Sequence, residues 1–169
     1  YFNLVIIFPL IFFFFKNIKI KYKEISLVCQ IILTSTILLS PTIRSLVSYP
    51  YPLLWAISFF LISIYFFLNF ENTEKKEKKY RNAFFCVLNL AIASYFTPNF
   101  SVFILFYGFK FFLEFKLSKN FFSICLFAII LALPAIFFLI WKDFYLFKNE
   151  VYDVHFVQKF NFSNKIIII

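Results

Sequence analysis

Glycine is nearly absent from this chain: of 169 residues, only Gly108 is glycine. There is no phosphate-binding loop and no nucleophile elbow. With one histidine, His155, there is no HExxH pair either. Acidic residues are scarce, 8 against 17 Lys and Arg, for a net charge of +9. A surplus of that size invites nucleic acid as a partner, but the charges sit at the ends of apolar runs. There lysines set membrane orientation and meet anionic headgroups, so no nucleic acid is expected. Charged residues are 15% of the total, too few and too clustered to coat a soluble domain. Cys29, Cys86 and Cys125 fall in three different apolar runs and read as small buried hydrophobes, with neither a disulfide nor a metal site expected. Methionine is missing altogether, and the last residues, Lys165 to Ile169, look like the start of another apolar run. The expectation is a fragment of a longer protein. Tyr1 to Phe15 is apolar but lacks the basic region and cleavage site of a signal peptide.

What is present is apolar and aromatic. Hydrophobic residues make up 63%, and 31 are phenylalanine. The phenylalanines read as lipid-facing filler rather than as a ligand site. Leu53 to Phe70 carries no charge, long enough at ~1.5 Å per residue to cross most of a ~30 Å hydrocarbon core. Further spans are expected at Leu4 to Phe15, Ile25 to Leu39, Ala83 to Phe96, Phe100 to Phe115 and Phe121 to Ile140, with a seventh beginning at Lys165. The predicted fold class is all-α: an integral membrane helical bundle of about six to seven transmembrane helices, residues 1–169 forming one transmembrane domain. Pro9 and Pro134 are expected to kink their helices. Gln30 and Asn89 are expected to hydrogen-bond between helices, and Gly108 to be the one place where two backbones approach closely. Glu71 is expected to pair with Lys75 one turn on.

The connectors alternate in charge. Residues 16–24, 71–82 and 116–120 are rich in lysine, and the positive-inside rule makes them cytoplasmic loops. Residues 40–52, 97–99 and 141–164 then form external loops. The expected location is a membrane crossed several times, with membrane lipid as a partner. Asn99-Phe100-Ser101 and Asn161-Phe162-Ser163 match the N-glycosylation pattern, which matters only in a eukaryotic lumen.

Three residues of the 40–52 segment stand out. Arg44 lies near the membrane boundary, where a guanidinium forks onto phosphate oxygens or caps a preceding helix. Tyr49 and Tyr51 flank Pro50 and suit either a stacking surface or an interface belt. His155 beside Asp153 reads as an exposed loop histidine.

The stretch LLSPTIRSLVSYPYPLLWAISFFLISIYFFL, with the hairpin LNLAIASYFTPNFSVFILFYGFKFFLEFK after it, resembles bacterial polytopic glycosyltransferases of the GT-C superfamily. Its specific part is Ser40 to Tyr65. The resemblance implies transfer of a sugar from a polyprenyl-phosphate donor to a glycan, lipid or protein acceptor on the non-cytoplasmic face. It also implies a catalytic carboxylate in an early external loop and a divalent cation or basic side chains at the donor phosphate. No catalytic residue transfers onto this sequence, because Ser40 to Pro52 has no Asp or Glu. Arg44, Tyr49 and Tyr51 become the candidate donor-phosphate and lipid contacts. Two other readings stand beside it: a non-enzymatic transporter or glycan-lipid flippase, and an O-antigen polymerase or ligase-like protein. The first is disfavoured by the lack of Asp and Glu in the spans apart from Glu114. The second is disfavoured because residues 141–164 hold no arginine and one histidine.

Overall fold

The computed structural model describes residues 2–48 and 52–140. Every regular element among them is helical. The chain divides into two compact units, Tyr1–Ala132 and Leu133–Ile169, and the packing below is that of the first.

Helix α1, Phe2–Lys21, holds Pro9 in its interior and closes with Lys19 and Lys21 in its last turn, where cations offset the exposed carbonyls. The loop predicted at 16–24 is therefore shorter: the helix runs through Lys21 because nothing in Lys16 to Lys21 breaks it. Ser26 caps helix α2, Leu27–Leu39, by accepting from the Cys29 backbone N–H at 3.4 Å. Hydroxyls inside α2 are satisfied locally: Thr34 donates to the Gln30 carbonyl at 2.8 Å and Ser35 to that of Ile31 at 2.9 Å.

The segment 40–52, read from its three prolines as a turn, contains a helix, α3, Pro41–Ser48. Pro41 occupies the first helical position, where its missing N–H costs nothing. Apolar residues at 43, 46 and 47 alternate with polar ones at helical spacing, so α3 is amphipathic in sequence.

Helix α4, Leu53–Asn72, is the centre of the fold. It is followed by α5, Lys76–Phe96, and only residues 73–75 of the predicted 71–82 loop are non-helical. Thr97 and Pro98 break α5, and a 3-10 turn, Pro98–Val102, leads into α6, Phe103–Phe115. The predicted span from Phe100 thus begins three residues later. Lys116 turns the chain at φ 50°, and α7, Lys119–Ile140, follows, already begun within the predicted 116–120 loop.

Two apolar cores hold these helices. Ile6 and Leu10 of α1 meet Leu54 and Leu61 of α4. Phe67 and Phe70 of α4, Cys86 and Leu90 of α5, Tyr107 and Phe111 of α6 and Ile124 of α7 form the other. Where α4 meets α5 the buried positions include small ones: Ser63 on one helix, Ala83, Cys86 and Ala93 on the other. Small side chains let backbones approach, and the Ser63 hydroxyl donates across the gap to the Cys86 carbonyl at 2.9 Å. Close approach therefore falls here and not at Gly108, which has nothing within 4 Å of where a Cβ would lie.

Among the described residues two helices are long and apolar enough to cross a membrane, α4 and α7. They differ in surroundings. α4 is wrapped by its neighbours, whereas α7 leaves Leu126, Ile129 and Ile130 more than half exposed. Helices α2 and α6, at 13 residues each, measure ~20 Å, short of a ~30 Å hydrocarbon core. The seventh span predicted from Lys165 lies outside the described residues.

Two substitutions test this packing. Ser63→Leu should overfill the α4–α5 seam and destabilise the protein by about 1–3 kcal/mol. Gly108→Ala should be neutral or stabilise by up to about 1 kcal/mol through helix propensity. Thermal unfolding in detergent reads both, and the opposite order would place the close approach elsewhere. Lys116, at φ 50° and ψ −148°, occupies backbone space that favours glycine. Lys116→Gly should therefore raise stability by about 1 kcal/mol in the same assay, and a fall would contradict that backbone conformation.

Candidate functional site

Because α1 and α4 run in one direction while α2 and α5 return, the connectors sort to two ends. Lys21 to Ile25 line a cavity with Asn72. Glu71 of α4 meets Lys110 of α6 at 3.4 Å, and Lys79 of α5 meets Glu114 of α6. Every Glu, Lys and Arg among the described residues except Arg44 lies within about two helical turns of this end. At the other end Trp55 and Phe59 of α4 face Phe96 of α5, and Phe60 stacks on Phe100 at 4.7 Å.

At the charged end Glu71 pairs across helices with Lys110, not with Lys75 as expected. Helix α4 ends at Asn72, so residue 75 is past the turn that would have brought the two side chains together. The two lysines also lie over aromatic rings, Lys79 at 5.8 Å from the Phe70 centroid and Lys110 at 6.0 Å from that of Phe106. Tyr80 of α5 and Ser123 of α7 share a hydrogen bond of 2.9 Å, and the Tyr95 hydroxyl donates to the Leu131 carbonyl. These contacts tie α4, α5, α6 and α7 together.

The cavity, of about 370 Å³, opens where α1 ends and α2 begins. Its loop is braced from inside. Gln30, buried, donates from Nε2 to the carbonyls of Tyr22 at 3.3 Å and Ile25 at 3.0 Å. Gln30 therefore serves a connector rather than a neighbouring span. Asn89 also departs from expectation, donating to Phe85 in its own helix at 2.8 Å. Asn17, by contrast, does cross between helices: its Nδ2 donates to the Leu61 carbonyl of α4 at 2.9 Å. Its position within a lysine run made it look like a loop residue.

The predicted donor site is placed only in part. Arg44 belongs to α3, at the end of the bundle opposite the lysines, and is the one charged residue there among those described. Tyr49 and Tyr51 lie outside the described residues, as do Asp153, His155 and the whole 141–164 loop. No group of three His, Cys, Asp or Glu side chains converges among the described residues, and none of these groups forms a nucleophile–base pair there. What the charged end offers is a fixed positive field, able to hold an anion.

No family model matches the sequence, and comparisons with curated proteins and with solved structures gave no match.

The ion pairs should differ in worth. The Lys79 side chain is 14% exposed, although its partner Glu114 is 45% exposed, while Lys110 and Glu71 are both open to solvent. A double-mutant cycle on Lys79→Ala and Glu114→Ala should give a coupling of about 0.5–1 kcal/mol that shrinks with salt. The same cycle on Glu71 and Lys110 should give roughly half of that or less. Equal couplings would mean that burial does not set their strength.

Proposed function

We propose that this chain is a membrane-embedded part of a multi-pass protein of the bacterial inner membrane, with its lysine-rich end in the cytoplasm, and that the whole protein transfers a sugar from a polyprenyl-phosphate donor. The observation that carries the first half is the sorting of charge. All described charges but one gather at one end, while Leu105, Phe109, Leu126 and Ile129 stand exposed on the helix walls. Apolar walls of this extent suit hydrocarbon, and lysines gathered at one end suit the cytoplasmic leaflet.

The second half rests on the resemblance of Ser40 to Tyr65 to GT-C glycosyltransferases and on where Arg44 falls. A lipid donor presents its phosphate at headgroup depth. Helix α3, amphipathic in sequence, suits that depth, and among the described residues it carries the one cation of its end. An arginine there would neutralise the phosphate that leaves as the sugar is transferred. That end has no described carboxylate, so no residue is assigned to deprotonate the acceptor. A divalent cation, where such enzymes use one, has no ligand set among the described residues.

Topology is tested by thiol accessibility, with Cys29, Cys86 and Cys125 replaced and Ser45→Cys or Lys76→Cys introduced. Position 76 should react only from the cytoplasm and position 45 only from outside. Labelling from one side at both positions would overturn the orientation. In the full-length protein, Arg44→Ala should raise the KM for a polyprenyl-phosphate sugar about ten- to hundredfold, the loss of one charge-assisted contact. Unchanged donor kinetics would remove the phosphate role.

A further inference from the structure

We propose that the cavity between α1 and α2 binds the phosphate of an anionic lipid headgroup, with one acyl chain lying along α2. This rests on the membrane reading above but is independent of any sugar transfer. Four observations lead to it.

The first is unspent charge. Of the lysines at this end, Lys79 and Lys110 are paired with Glu114 and Glu71. Lys21 and Lys23, at the cavity, take part in no ion pair among the described residues. Glu24 is the one carboxylate in the lining, so two cations outnumber it. Tyr22 and Asn72 add a phenol and an amide, and Asn72 spends one amide proton on the Leu68 carbonyl at 2.8 Å.

The second is preorganisation. The Tyr22 backbone N–H donates to the Ile18 carbonyl at 2.8 Å, and Gln30 holds the Tyr22 and Ile25 carbonyls from within. A lysine on a fixed backbone loses less freedom on binding than one on a loose loop. The third is the field of the helices. The cavity lining reaches Ile25, the residue before the Ser26 cap of α2, so the positive end of that helix lies next to it in the chain and favours an anion.

The fourth decides the kind of anion. Leu27, Val28, Ile31 and Ile32, on one side of the helix that follows the cavity's loop, are exposed. A soluble phosphate has no use for such a strip, whereas the acyl chain of a phospholipid covers it. A cavity of about 370 Å³ suits a headgroup and its glycerol.

The test uses the full chain in phosphatidylcholine vesicles containing about a fifth phosphatidylglycerol, enough negative charge for lysine attraction to register. Wild type, a Lys21→Gln/Lys23→Gln variant and a Lys75→Gln/Lys76→Gln control are first extracted with alkaline carbonate. All three should stay in the membrane; release of the wild type would overturn the membrane reading and this proposal with it. The immobilised fraction of spin-labelled phosphatidylglycerol is then measured. The Lys21/Lys23 variant should lose affinity for it about tenfold, and the control less than about twofold. Equal losses would show diffuse attraction, and no loss in the first variant would show that the cavity is not a lipid site; either overturns the proposal. Displacement of the label by millimolar soluble glycerol phosphate would assign the site to a free phosphate instead, and overturn the lipid.

Discussion

The closeness of α4 to α5 is the constraint on which the rest of the bundle depends. Their adhesion comes from close packing of small side chains and from a hydrogen bond between the helices. Serine, alanine and cysteine along the seam bring the backbones near enough for the Ser63 hydroxyl to reach the Cys86 carbonyl. With that pair fixed, Phe67 and Phe70 are presented to Tyr107 and Phe111, and Phe84 of α5 stacks on Phe127 of α7 at 3.7 Å. The opposite face of α4 is left to α1, which Asn17 anchors at the Leu61 carbonyl.

Charge follows the same geometry. Once α1 and α4 descend together, their ends and the start of α5 share one level, and the lysines of three separated segments meet. Carboxylates on α4 and α6 neutralise part of this surplus, where lysines also lie over phenylalanine rings. The surplus around the α1–α2 connector is left uncompensated.

Several features were legible in the residues alone. The all-helical class follows from long apolar runs broken by lysine clusters, and the helices at α4 and α7 follow from their hydropathy. In sequence the 40–52 segment reads as a turn, because it holds three prolines and two tyrosines. Pro41 instead opens a helix, since its missing N–H falls where none is needed. The non-helical connectors are shorter than the charged runs for a related reason. Lysine and glutamate are good helix formers, so a polar run does not by itself mark where a helix stops.

The sequence by itself determined that the chain is helical and how its charge alternates along its length, because both depend on local propensity and on hydropathy. Only the tertiary structure decided the partners: Glu71 with Lys110, Ser63 with Cys86, Gln30 with the carbonyls of its own connector. Those depend on which face of each helix turns inward. With phenylalanine, isoleucine and leucine on every side of these helices, that choice was left to the small and polar residues, which find each other only when the whole bundle has closed.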